Sequence, residues 1–325
     1  MILVKELIIG KKKVSELMLG MMRVDGLTED ALYALVGTAL DSGINALDTA
    51  DVYADGVCEE KLGSVFAAHP SLRDQFFLQT KCGIRKTSSF IWYDFSKKHI
   101  IRSVEGSLQR LQTDHIDCLL LHRPDALMEP GEIEEAFTYL HDRGMVSNFG
   151  VSNMNPMMID LLETEVTFPI VTDQIQLSAA FTPALNSGFN VNMENDAAVV
   201  RSSSILEYCR LNGIIVQAWS PMQYGFFEGL FVGSDKYPKL NEVLERIASE
   251  QGSKPEHVSA ANAAPDTITP EAVAIAWILR YPAKMQVVLG TTNRAHLIAA
   301  AHAPEVHISK RQWYEIYAAA GNVLP

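Results

Sequence analysis

Four side chains spread along the first part of the sequence have the types needed to protonate a carbonyl oxygen. In GINALDTADVY, Gly43 to Tyr53, an apolar run stops at a carboxylate, Asp48, and a phenol, Tyr53, follows in what should be a loop. A free phenol has a pKa near ~10 and is a sluggish acid at neutral pH. An ammonium beside it stabilises the phenolate and lowers that pKa, and Lys81 in FFLQTKCG is a candidate for the task. Asp48 would keep that lysine charged and aimed at Tyr53, because an unpaired buried ammonium tends to lose its proton. His122, closing the run CLLLH, could hydrogen-bond a substrate oxygen or assist proton transfer to the tyrosine. The set suits protonation of a carbonyl oxygen as hydride reaches the carbon, and a cofactor must supply the hydride because no side chain can. Each residue alone has a plainer reading: Asp48 a turn cap, Lys81 a snorkelling strand end, His122 a satisfied core histidine, Tyr53 loop packing. Only their joint placement argues for chemistry.

That placement rests on the elements between them. Residues 2–19 read as a β-hairpin running into a buried strand, with VKELII and SELMLG flanking a Gly-Lys turn. From Thr28 the pattern alternates between helical spacing and short apolar runs. Helices are expected near residues 28–40, 57–68, 98–111, 131–143, 156–163, 203–212, 240–251, 269–279, 295–303 and 310–320. Strands are expected near 45–48, 76–81, 116–122, 148–152, 170–177, 214–218 and 286–290, and the fully apolar CLLL suits a buried parallel strand. Eight strands interleaved with helices imply a parallel sheet, and eight βα units suggest closure into an α/β (β/α)8 TIM barrel. The N-terminal hairpin would cap the barrel bottom, with extra helices at the C-terminus. A doubly wound sheet usually announces its nucleotide site with GxGxxG, and neither that motif nor a P-loop occurs. Nothing splits the chain, so residues 1–325 read as one domain, with Gly252–Asp266 (GSKPEHVSAANAAPD) as a surface insertion.

In a barrel the active site is built at the C-terminal strand ends. Those positions read Asp48, Lys81, His122, Ser152 with Asn153, Gln174 with Gln176, Ser220, and Thr291 with Thr292. The 325 residues are 48% hydrophobic and 20% charged, normal for a sizeable core. A net charge of −12 argues against nucleic acid or an anionic membrane as the main partner. It leaves room for a small anionic cofactor held by a local cluster of donors. Cys58, Cys82, Cys118 and Cys209 are widely spaced without a CxxC pair, which suits reduced thiols in a cytoplasmic protein better than a disulfide frame or a metal site. No apolar stretch reaches the ~18 residues of a membrane span, and the N-terminus has no cleavable h-region.

With these residues in view, the sequence resembles the aldo-keto reductase family. GINALDTADVY, FFLQTKCG, LQTDHIDCLLLHRPD, GVSN and AWSPM occur in the family's order, and the likeness runs from the hairpin to QWYEI. The HRPD ending and AWS are most similar to bacterial oxidoreductases of the YdhF type. The resemblance implies that Asp48, Tyr53, Lys81 and His122 form the catalytic tetrad, with Tyr53 as proton donor. It implies that Ser152, Asn153 and Gln174 hold a nicotinamide carboxamide and that Trp219 stacks on the ring. Ser220, Met222 and Gly225 fall in the segment that wraps the pyrophosphate. Gly290, Thr291, Thr292, Arg294 and His296 fall near the adenosine phosphate. Two departures stand out. PMQYGFF follows Ser220 where relatives often carry small residues, and His296 stands where an arginine often faces the 2′-phosphate, a weaker anion partner at pH 7. NADP(H) is the expected cofactor, with NAD(H) the alternative. Asp173, where relatives commonly have asparagine, could add a negative charge nearby.

For substrate, Met21, Met22, Arg23, Tyr53 and the aromatic loop Phe90–Phe95, including Trp92 and Tyr93, form the expected wall, with additions from the long polar loop Thr182–Asp196, and only one or two of these aromatics should touch substrate. The lining favours an aldehyde or ketone with an apolar body. Arg23 and Arg123 could prefer a carboxylate-bearing substrate, or could pair with neighbouring acids. Two rival readings exist. A barrel aldolase would use Lys81 as a Schiff-base nucleophile. A nucleotide-sensing regulatory subunit would bind the cofactor with little turnover.

Overall fold

The structure, a computed structural model, describes residues 4–251 and 267–325. The expected insertion at Gly252–Asp266 therefore lies outside the described residues. Strands β1 (Glu6–Ile9) and β2 (Lys12–Ser15) pair as an antiparallel hairpin. The barrel takes β3 (Leu17–Gly20), β4 (Ala46–Asp48) and β5 (Phe77–Cys82); after β5, β6 (Ile84–Lys86) and β7 (Ile91–Tyr93) make a small hairpin of their own. Then β8 (Cys118–Leu121), β9 (Phe149–Ser152), β10 (Ile170–Gln176), β11 (Ile215–Trp219) and β12 (Met285–Leu289) complete it. The eight barrel strands close in the order β3-β4-β5-β8-β9-β10-β11-β12, all parallel, with β12 returning to β3 through Val287 opposite Leu17.

A closed parallel sheet wrapped in helices is buried on both faces, which is why its strands read as nearly continuous apolar runs. Every residue of β3, β5, β8 and β9 is buried. The helix Glu29–Asp41 starts where Thr28 accepts a hydrogen bond from the Ala31 amide at 3.2 Å. Farther out, the helices Val57–Ala68 and Lys97–Leu111 touch so closely that a Cβ on Gly63 would lie 2.0 Å from the Arg110 carbonyl oxygen.

The β1–β2 hairpin covers the N-terminal end of the barrel, as expected. Residues that open barrel strands hold it there. Asn45, just before β4, accepts from the Ser15 amide at 2.8 Å, and Asp117, just before β8, takes the Lys12 ammonium at 2.5 Å. Two stretches expected to be loops contain structure instead. The aromatic stretch folds into β6–β7, because Arg85 sits over the Trp92 ring and Phe90 stacks beside it. The polar stretch Thr182–Asp196 contains the helix Pro183–Phe189, whose last residue packs on Trp313 and Tyr317. In both, contacts outside the local pattern supply the order that the pattern lacks. Among the described residues no helix is long and apolar enough to cross a membrane.

Candidate active site

The site is built on register. Asp48 pairs across to Gln79 in β5, and Lys81 pairs with Leu120 in β8, so the ends of β4, β5 and β8 stand side by side at one rim. Because side chains alternate along a strand, Gln79 and Lys81 share the inward face. Asp48, Lys81 and His122 are all buried, while Tyr53, in the short turn after β4, is partly buried.

Lys81 is the hub. Its ammonium donates to Asp48 Oδ2 at 2.7 Å, to the Thr49 carbonyl at 2.8 Å and to the Tyr53 hydroxyl at 3.1 Å. An ammonium has three protons, and all three are placed. Burial works against the charge, but Asp48 and Tyr53 outweigh it and raise the lysine above its ordinary value. Asp48 thus keeps the lysine charged, as expected.

Tyr53 departs from expectation. Burial raises its phenol above the usual value, and the Lys81 ammonium, which pulls downward, does not offset this. The expected sign of the lysine's effect is present, but desolvation is larger. His122 lies edge-on to Tyr53, with ring centres 5.7 Å apart. Burial, with the Lys81 and Arg123 charges, holds it well below the ordinary histidine value, so it is a neutral imidazole. Its Nδ1 has no hydrogen-bond partner.

Beneath these groups lies a layer of four amides, of which sequence reasoning singled out Gln174 alone. Gln79 and Gln174 both donate to Asp48 Oδ1, at 2.7 and 3.0 Å. Gln217 accepts from both and donates to Gln79 Oε1 and to Gln286 Oε1, and Gln286 donates to the Ser15 carbonyl at 2.7 Å. The period of two was the available signal: Gln79 precedes Lys81 by two residues and Gln217 precedes Trp219 by two.

The residues expected at the nicotinamide also come together. Ser152 Oγ donates to the Gln174 carbonyl at 2.9 Å, Asn153 Nδ2 donates to Ser152 Oγ at 2.8 Å, and Trp219 Nε1 donates to Asn153 Oδ1 at 3.2 Å. Asn153 and Ser220 both hold positive φ, 57° and 50°, at the ends of β9 and β11. Met222 is half-buried, and the Gly225 carbonyl accepts from Gln176 Nε2 at 2.9 Å. Phe226 and Phe227, absent from the expected site, bring their rings 6.0 and 6.3 Å from Trp219.

The adenosine end is less assembled. Gly290 is exposed, and Thr291 and Thr292 are half-buried. Arg294 turns its Nε to Thr38 Oγ1 at 2.7 Å, while Asn293 caps the helix Arg294–Ala301 by accepting from the Ala295 and His296 amides. Asp173 brings no negative charge at neutral pH. It is fully buried, and burial lifts it to about 8 against the downward pull of the Met154 and Asn153 amides. Of the expected pocket wall, Met21 is fully buried in the core and Phe95 lies sealed beneath Gly83. Met22 is half-buried and Arg23 exposed, while Trp92 stacks within its hairpin and Tyr93 is exposed. Among the described residues no group of His, Cys, Asp or Glu could hold a metal ion.

A (β/α)8 barrel with an Asp-Lys-Tyr-His cluster at its C-terminal rim defines a class, and known proteins agree. Residues 16–320 match the model of the aldo/keto reductase family, and the chain belongs to that family. It is an NAD(P)H-dependent oxidoreductase of carbonyl compounds. The chain is 35% identical to the 6-dehydroglucose reductase of Agrobacterium fabrum over 319 residues, covering 95% of each protein. It is 31% identical to the oxidoreductase YdhF of Escherichia coli, covering 89% of this chain and 87% of that one. Among solved structures, the holo form of an aldo-keto reductase from Bacillus halodurans superposes with a TM-score of 0.71 at 24% identity, over 99% of this chain and 98% of that one. An aldo-keto reductase from Klebsiella pneumoniae in complex with NADPH gives 0.72 at 21% identity, over 99% and 97%.

Proposed function

We propose that the protein is an NADP(H)-dependent reductase of aldehydes and ketones in which Tyr53 delivers the proton. The observation that carries the reading is the Lys81 ammonium, fixed by Asp48 and the Thr49 carbonyl with its third proton on the Tyr53 oxygen. A phenol that has given up its proton is left beside a permanent positive charge, so the ion pair stabilises the donor's conjugate base. Neutral His122, facing Tyr53, orients the carbonyl oxygen by a hydrogen bond.

The chain's donors fit a nicotinamide nucleotide. Ser152, Asn153 and Gln174 gather amide and hydroxyl groups at adjacent strand ends, complementary to a carboxamide, and the half-buried Trp219 ring offers a flat face beside them. When bound, such a cofactor supplies the hydride. Ser220, Met222 and Gly225 line the segment that would follow the pyrophosphate. Gly290, Thr291, Thr292, Arg294 and His296 would meet the adenosine end, and the NADPH complex of the Klebsiella enzyme supports NADP(H) over NAD(H).

The Schiff-base reading is disfavoured because it needs a neutral lysine with a free lone pair. Here Lys81 is raised and all its protons are spoken for. A steady-state screen of NADPH and NADH oxidation with aldehydes and ketones, with Tyr53→Phe as control, tests the proposal. Activity that survives in Tyr53→Phe would refute the proton-donor role. Tight cofactor binding without turnover of any carbonyl would favour the regulatory reading.

A further inference from the structure

We propose that Arg123 selects carbonyl substrates that carry an oxyanion, a carboxylate or a phosphate, by pairing with that group at the mouth of the active site. The inference rests on the reductase reading above and adds a substrate class to it. Arg123 follows His122 directly, and its guanidinium carbon lies 5.7 Å from the ring centres of both Trp219 and Phe226. It therefore lies beside the indole expected beneath the nicotinamide and is next in the chain to the imidazole that faces Tyr53.

The guanidinium has no counter-charge among the described residues. Among the described residues it makes no hydrogen bond and no ion pair, although it is half-buried. Asp125, two residues on, and Asp94, next to Tyr93, are committed elsewhere. Asp125 accepts from the Phe95 and Leu127 amides, both at 2.9 Å, and Asp94 pairs with Arg85 at 2.8 Å. Within the site itself, Lys81 is neutralised by Asp48 and His122 carries no charge. Among the described residues Arg123 is thus an uncompensated positive charge beside the site, in a chain whose net charge is −12. Burial disfavours that charge, and only the phenols of Tyr93 and Tyr53 oppose the effect.

Such an arrangement makes sense when the missing partner arrives with the substrate. A guanidinium has five donors in a planar fork that matches a carboxylate or phosphate, and aromatic faces hold the fork without using those donors. Arg23, the other sequence candidate, is exposed and lacks this setting.

The test compares matched neutral and anionic substrates with NADPH: butanal against 4-oxobutanoate, benzaldehyde against 4-formylbenzoate, and glyceraldehyde against glyceraldehyde 3-phosphate. The wild-type protein should prefer the anionic member of at least one pair in kcat/KM. In Arg123→Met that ratio should fall about 10- to 100-fold, the range for losing a hydrogen bond to a charged group, mainly through KM. Arg123→Lys should keep part of it. Whether the carboxylate or the phosphate pairs show the effect identifies the oxyanion. Preference for the neutral member in every pair, or a ratio unchanged in Arg123→Met, would overturn the inference. So would equal losses for both members, or a weakened NADPH affinity, since these mark a packing or cofactor role. Failure to oxidise NADPH with any of the aldehydes would instead sink the reductase reading itself.

Discussion

The Lys81 ammonium stands 3.1 Å from the Tyr53 hydroxyl and has no freedom to turn away, because its other protons are held by Asp48 and the Thr49 carbonyl. Removing the hydroxyl should therefore remove a positioned acid and little else. Tyr53→Phe is expected to lower turnover several hundredfold or more, within the roughly 10²–10⁴ range for general acid catalysis. NADPH affinity, read by fluorescence titration, should change by less than about threefold.

Removing the lysine should do more. Lys81→Met leaves the Asp48 carboxylate buried without its counter-ion, and breaking a buried pair from one side typically costs about 3–5 kcal/mol. Denaturant unfolding should show that loss. Adding Asp48→Asn to Lys81→Met should recover part of it, although both proteins lack activity.

Stability should depend on pH through buried groups far from their ordinary values. Burial first, then the nearby Glu59 carboxylate, lifts Asp51 to about 7, and burial lifts Asp173 to about 8. The folded chain keeps these protons where the unfolded chain has released them, so each group lowers stability as pH rises from about 4 to its folded value and has no further effect above it. Asp173→Asn should abolish its share of that slope. The variant should raise stability at pH 7 by up to a few kcal/mol, because each tenfold difference in proton affinity between folded and unfolded chain is worth about 1.4 kcal/mol.

His122 acts in the other direction. Its folded value is depressed, so the unfolded chain binds a proton below about 6.5 that the folded chain refuses, and stability falls as pH drops through that point. Activity should nevertheless show no ionisation from His122 between pH 6 and 8. A pH–rate profile with an inflection in that window, abolished by His122→Asn, would contradict the neutral imidazole.

Much of this site was legible because its parts sit at strand ends that the chain marks plainly. Asp48 and His122 each close an apolar run, Lys81 lies in a strand-like stretch that opens with Phe76, Phe77 and Leu78, and parallel register does the rest. The same reasoning failed where a property depends on environment. Tyr53 carries the expected lysine, yet the depth of burial that raises its phenol is not written in DTADVY. Asp173 reads as a charge in sequence and is a buried, protonated acid in the fold. Trp92 and Phe95 both look like pocket aromatics. One is stacked in its hairpin and the other sealed under Gly83, a distinction made by packing rather than by residue type.

The amide layer under Asp48 has one more consequence, for how this barrel can change. Gln79, Gln174, Gln217 and Gln286 are donors and acceptors for one another, and the chain they form ends at Asp48 on one side and the Ser15 carbonyl on the other. Exchanging a single glutamine for leucine strands its neighbours' polar atoms in the dry interior, whereas exchanging several together confines that loss to the end groups, Asp48 and the Ser15 carbonyl. These positions should therefore tolerate substitution only in concert, and a barrel redesigned to move the active-site carboxylate would have to be rewritten on four strands at once.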